Sequence, residues 1–217
     1  METELLQLEP ISWTDEIEGA EPSSNGQFIE ANTSPISQND LKGGCIIPSF
    51  AKDNESTISH SHFIEAVYDA AQMAFERETI LDPAVRVSHP VKGRIPSAMG
   101  KPAKLLTEQE KTLYYERMAF LFELPSIRDS VGGNGLSLTV GGVRSYSETN
   151  LYSKKSDEKF KIFVGFKNMV CTNLCISTDG YVGELKVRSI SEIVNEAFKL
   201  FGNYDPKEDV QVFLYLR

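Results

Sequence analysis

The sequence predicts an α+β fold, a mainly antiparallel sheet flanked by helices with a disordered acidic tail at the N-terminal end. Three observations carry it: a helical apolar stripe near residue 65, a run of period-two segments from about residue 114 to 187, and a second, well-capped helical stripe after Ser189. Strands in succession between helices fit neighbours joined by hairpins, not the crossover connections of a parallel sheet. With 217 residues and 41% hydrophobic content, the chain holds enough apolar surface for one sizeable core. A single domain is therefore expected over residues 41–217.

The tail is read from charge. Residues 1–40 carry nine Asp or Glu and no Lys or Arg, which leaves 22 acids and 22 bases for the rest and makes that remainder neutral. The tail also contains "GAEPSSNGQFIEANTSPISQND", with too few apolar residues to offset the entropy of ordering it. "METELLQLEPISWTDE" has neither a basic start nor an apolar run of signal-peptide length, and nothing in the sequence resembles a membrane span. A cytoplasmic protein is expected, with three reduced cysteines and no disulfide framework.

The elements follow in order. In "SHSHFIEAVYDAAQMAFERE", Phe63, Ile64, Val67, Ala70, Ala71, Ala74 and Phe75 fall at three- and four-residue spacings, predicting a helix from Ser61 to Glu78. "ILDPAVRVSHPVKGRIPSAMGKPAKLL" is so interrupted by proline that it allows only short extended pieces and turns. Thr107 and Glu110 form a capping box able to start one or two helical turns. From Tyr114, alternation of Met118, Phe120, Phe122 and Leu124 with Arg117 and Glu123 predicts a strand that Pro125 ends. Further strands are expected at Leu136 to Tyr146, where Gly141 and Gly142 mark a bulge or a close backbone approach, at Phe160 to Phe166, at Val170 to Ser177, and near Leu185 to Val187. Ser189 and Glu192 repeat the capping box ahead of Ile190, Ile193, Val194, Ala197, Phe198 and Phe201, with Gly202 just past the helix end.

Local motifs for chemistry are sparse. Cys171 and Cys175 stand four apart; on a strand they share a face at roughly 13 Å, too far to share a metal, so they read as sheet thiols, with a redox-responsive thiol as the alternative. His60, His62 and His89 lack a companion carboxylate pattern, and the first two sit where helix-capping residues are ordinary. There is no nucleophile elbow and no phosphate-binding loop: "VGGNGLSLTVGG" precedes a strand instead of linking strand to helix. Catalytic residues, cofactors and metals are accordingly expected to be none, although a site assembled from distant residues leaves no local motif.

One pattern points to a partner. Between Asp82 and Glu108 there is no acid, while Arg86, Lys92, Arg94, Lys101 and Lys104 supply five positive charges. From Arg144 to Lys167 six bases, Arg144, Lys154, Lys155, Lys159, Lys161 and Lys167, face three acids and alternate with Tyr146, Tyr152, Phe160, Phe163 and Phe166. Bases beside exposed rings are what single-stranded nucleic acid needs, since phosphates take the charge and bases stack on the rings. Apart from Lys159, these cations are the candidate contacts. The plainer reading is a solvated basic face over core aromatics. If the contacts are real, the acidic tail is placed to compete for them. A protein–protein module or homo-oligomer is the competing class, and an enzyme with a scattered site the third.

The blocks "NGQFIEANT", "CIIPSFAKDNESTISHSHFIEAV", "RVSHPVKGRIPSA", "YYERMAFLFELPSI", "TVGGVRSY" and "NLYSKKSDEKFKIFVGFKNMVCTNLCISTDGY" resemble a bacterial family, domain of unknown function 3871, over roughly residues 26–202. "FKNMVCTNLCIS" is also similar to a strand found in phage- and plasmid-related proteins. The resemblance implies a mobile-element or prophage context in gut-type anaerobes, and no catalytic residue to carry over. Family members continue with more helical sequence after the counterpart of "LFGNYD", whereas this chain ends in "PKEDVQVFLYLR". Either it is a truncated member, or Val210 to Leu216 is a terminal strand.

Overall fold

The computed structural model describes residues 32–45, 57–131, 134–146, 157–168 and 182–205. Its frame is a six-stranded antiparallel sheet with two helices laid across one face. The strands are β1 (Ser34–Pro35), β2 (Ala84–Val87), β5 (Arg117–Val131), β6 (Asn134–Ser145), β7 (Glu158–Asn168) and β8 (Val182–Val187), in that spatial order. From β5 to β8 the sheet is a simple meander. Between β2 and β5 the chain leaves the sheet and forms a separate two-stranded ribbon, β3 (Pro90–Arg94) paired with β4 (Lys111–Tyr115).

Alternation along the strands explains which face the helices cover. Met118, Phe120, Phe122 and Leu124 of β5, Leu136, Leu138 and Val140 of β6, and Phe160, Ile162, Val164 and Phe166 of β7 all lie in the principal core. Their neighbours of opposite parity point to the other face, where Ala119, Leu121 and Phe163 make a smaller apolar cluster with Ala84. On the core side lie α2 (His60–Ala74) and α3 (Ile190–Gly202). Phe63 meets Phe120 edge-on with ring centres 5.2 Å apart and Phe160 at 4.7 Å. Burying an aromatic side chain of this size contributes about 1.5–3 kcal/mol.

Several sequence expectations are refined by packing. α2 starts after Ser59, whose hydroxyl accepts the His62 backbone N–H at 3.1 Å, so His60 and His62 belong to the first helical turn. It stops at Ala74, four residues short of Glu78, because Phe75 leaves helical geometry and packs 6.0 Å from Phe201 of α3. α3 begins after Ser189 as expected, but the Glu192 carboxylate accepts the N–H of Arg188 instead of Ser189, and Gly202 is its last residue, not the one beyond it.

Pro125 does not end its strand. β5 runs to Val131, and the register jumps from Leu124 opposite Leu138 to Arg128 opposite Ser137, so Pro125 sits in a bulge where its missing N–H costs no ladder bond. Gly141 and Gly142 mark a close approach, not a bulge: a Cβ on Gly142 would lie 2.6 Å from the Phe63 ring, and one on Gly141 2.5 Å from the Phe163 ring.

The folded part also starts before Leu41. Ser34 and Pro35 already pair with β2, and a short helix α1 (Gln38–Gly44) is capped by Ser37 and buries Leu41. The expected strand at Val170 to Ser177, with Cys171 and Cys175, and the segment Val210 to Leu216 lie outside the described residues. No helix among the described residues is long and apolar enough to cross a membrane.

Candidate nucleic-acid interface

The β3–β4 ribbon brings most of the first basic cluster together. Lys92 and Arg94 are two apart on β3 and so share a face; their cross-strand partners are Leu113 and Lys111, which places a third cation on that face. Arg94 and Lys111 are directly opposite, an arrangement that costs stability unless the charges are compensated. Compensation is local: Lys111 pairs with Glu108 at 2.5 Å, and Arg94 donates to the Lys101 carbonyl.

Between the two strands the chain forms three short 3₁₀ turns, Pro96–Ala98, Ala103–Leu105 and Glu108–Glu110. The predicted capping box is present in the third, with the Glu110 carboxylate accepting the Thr107 N–H at 3.0 Å. Glu110 also pairs with Lys101, whose hydrogen bond is the main reason its carboxyl is held below the usual range. Lys92 and Lys104 are exposed and make no ion pair among the described residues. Beside them Met99 is 75% and Leu105 68% exposed. A groove of about 940 Å³ runs between this loop and the ribbon, lined by Lys92, Arg94, Met99, Leu106, Lys111 and Leu113 among others.

The ribbon is anchored at its foot. His60 is 4% exposed, and its Nε2–H donates to the Tyr115 carbonyl at 2.8 Å, while Tyr114 packs against Tyr146 with ring centres 5.9 Å apart. Nδ1 of the same imidazole has no hydrogen-bond partner among the described residues. Burial, reinforced by the nearby Arg144 charge, lowers its pKa from 6.5 to about 3, so the ring is neutral at physiological pH. His62, two residues on and therefore about 200° around the helix, is exposed, as is His89. Among the described residues no three His, Cys, Asp or Glu side chains converge as a metal site would require.

The second basic cluster does not assemble as expected. Arg144 is 1% exposed: its guanidinium pairs with Glu158, donates to the Ile58 carbonyl, and lies 4.4 Å from the Tyr146 and 4.5 Å from the Phe160 ring centre. It is a core residue and unavailable to a ligand. Arg86 is buried as well, donating to the hydroxyl and carbonyl of Thr33 at 2.8 and 3.0 Å. Lys161 lies on the sheet face opposite the helices, in register with Glu184 and next to the Lys159–Lys186 pair. Lys167 sits on β7 opposite Ser137, and its side chain, like Lys154, Lys155 and Tyr152, lies outside what the structure describes.

The aromatic half of the expectation fails for a clear reason. Tyr146, Phe160, Phe163 and Phe166 are all less than 8% exposed, so none can stack on a base. Phe160 and Phe166 face the helices and Phe163 the other side, so the rings are covered on both faces of β7, which alternation alone does not foretell. Lys111, Met99 and Leu105 were missed; alternation of Val91 and Ile95 with Lys92 and Arg94 was the available sign of a strand, hidden by its flanking prolines.

Fold and site together define an α+β protein with a basic two-stranded ribbon inserted in a meander sheet. The family model described as "Domain of unknown function, B. Theta Gene description (DUF3871)" matches residues 15–216, and the chain belongs to that family. No curated protein and no solved structure matches it.

Proposed function

We propose that this chain is a nucleic-acid-binding accessory protein of a mobile element, with the β3–β4 ribbon as its contact. The observation that carries the reading is the ribbon itself: Lys92, Arg94 and Lys111 on one face, with Lys104, Met99 and Leu105 exposed in the loop at its end. A two-stranded ribbon is narrow enough to enter a major groove, and lysines near phosphates release counterions and supply sequence-independent affinity. The buried rings of Tyr146, just past β6, and of Phe160, Phe163 and Phe166 on β7 remove the stacking platform, which shifts the reading from the sheet face to the ribbon. The mobile-element part rests on the family resemblance and on the block "FKNMVCTNLCIS" alone.

The test is fluorescence anisotropy of labelled single-stranded and duplex oligonucleotides at low and near-physiological salt, with the wild type and with the Lys92→Glu, Lys104→Glu double variant. Salt-sensitive binding that the variant loses supports the reading. Absence of binding by the wild type at low salt overturns it and leaves Met99 and Leu105 as a surface for a protein partner or a second copy.

A further inference from the structure

The connection between β3 and β4 has a set shape. The Ile95 N–H donates to the Glu110 carbonyl at 3.0 Å, which extends the ribbon one step past Arg94 and Lys111, and the Ala98 N–H returns to the Ile95 carbonyl at 3.0 Å. Gly100, at a φ of 90°, then turns the chain where a side chain would be strained, and the Lys101 N–H reaches the Ala98 carbonyl at 3.2 Å. Leu105 donates to the Pro102 carbonyl at 2.9 Å, and Glu110 holds the far end through Thr107 and Lys101. Ala98 is fully buried.

This ordered loop nevertheless turns Met99 and Leu105 outwards. They are the two most exposed large apolar side chains among the described residues, and Met99 follows the buried Ala98 directly. Cations flank both. Arg94 and Lys111 stand opposite each other where the loop leaves the ribbon, and Lys104 precedes Leu105. From Pro90 to Tyr115 there are five bases and two acids, and both acids, Glu108 and Glu110, are engaged by Lys111 and Lys101. Between Ile95 and Glu110 there is no Phe, Tyr or Trp, so the loop offers unstacked bases no ring to lie on. Thin aliphatic side chains set among cations suit a stacked duplex, where phosphates take the charge and an apolar wedge enters between base pairs.

We infer that the nucleic acid held by the ribbon is duplex DNA and that the loop bends it, with Met99 and Leu105 inserted between base steps while Lys92 and Lys104 hold the neighbouring phosphates. Bending presupposes the proposed function; the shape of the loop does not. Unstacking a base step is offset by burial of the two side chains and by the phosphates that a bend brings within reach. The cost is lowest at the flexible pyrimidine–purine steps, so a TA step is preferred to a stiff A-tract although no base edge is read.

The experiment uses the full chain and a duplex of about 25 base pairs with a central TA step, on the length scale over which bending by proteins is measured. Energy transfer between dyes on its two ends reads the bend, and 2-aminopurine at the central step reads unstacking. Anisotropy against salt reads the phosphate contacts separately. The expected result is a bend of about 20–90° with a rise in 2-aminopurine fluorescence. The Met99→Ser, Leu105→Ser double variant should lose both signals and bind more weakly with its salt slope unchanged, since no charge is removed. Met99→Leu should keep them, and Met73→Ser, on α2 away from the ribbon, is the control. A wild type that binds the duplex without bending it, a bend that survives in the double variant, or tighter binding to single strands than to duplex overturns the inference and leaves the ribbon as a nucleic-acid contact. Binding of neither form at low salt overturns the proposed function, and the wedge with it.

Discussion

Arg144 and Glu158 form an ion pair in which neither side chain is more than 1% exposed, on adjacent strands beneath the start of α2. The pair also ties down the chain leading into that helix: Glu158 Oε1 accepts the Ile58 N–H at 3.2 Å, and Arg144 donates to the Ile58 carbonyl. The cation is flanked by the rings of Tyr146 and Phe160, and burial pushes the Tyr146 phenol up to about 12. Such a pair is costly to desolvate and costlier to break, because removing one partner strands the other charge.

Arg144→Met should therefore destabilise the protein by about 3–5 kcal/mol, and Glu158→Leu by a similar amount, while the double variant recovers most of the loss. Urea denaturation of the three variants measures this. A double variant as unstable as the sum of the singles would show that the two charges act independently.

His60 gives a signed dependence on pH. Its folded pKa of about 3 lies below the ordinary 6.5, so below pH 6.5 the unfolded chain takes up a proton that the native state refuses. The stability this neutral ring contributes is complete above pH 6.5 and declines as pH falls towards 3, by about 1.4 kcal/mol per unit in the steep part. His60→Gln should flatten the fall in stability between pH 6 and pH 4 relative to wild type. Parallel pH profiles in chemical denaturation would refute the assignment.

Gly142→Ala places a methyl group against Phe63 and Phe120, whose ring atoms lie 2.6 and 2.9 Å from the new carbon. Neither ring has room to retreat, since both are fully buried, and a loss of about 1–3 kcal/mol is expected. Gly43→Ala, in open space in the last turn of α1, serves as the control and should leave the thermal midpoint unchanged or raise it slightly, since Ala favours the helix by up to about 1 kcal/mol.

For the ribbon, Lys92→Ala and Lys104→Ala should each reduce the slope of log K against log salt by about 1, with folding stability changed by less than about 0.5 kcal/mol. Lys161→Ala, on the sheet face opposite the helices, should leave the slope unaltered if the ribbon carries the contact. A salt slope that responds to Lys161 and not to Lys92 would move the interface to the sheet.

The sequence by itself determined the class and the order of the principal helices and strands, but not β1, α1 or the β3–β4 ribbon, nor the break that separates Tyr114 and Tyr115 of β4 from β5. Those features are written locally: Ser189 and Glu192 start a helix wherever they stand before a periodic run, and alternation from Met118 to Leu124 makes a strand by the geometry of the backbone. It also determined the charge split between tail and domain, which needs only counting. Tertiary structure alone decided which charges face water. Arg144 and Lys161 look equivalent in the sequence, yet Arg144 has the parity of the face beneath α2 and is sealed against Glu158, and Lys161 has the other. The ribbon was decided the same way. Lys92 and Lys111 are nineteen residues apart, and only the pairing of β3 with β4 puts them on one face. Burial and partnership depend on contacts between segments remote in the chain, and no local pattern encodes which segment will arrive.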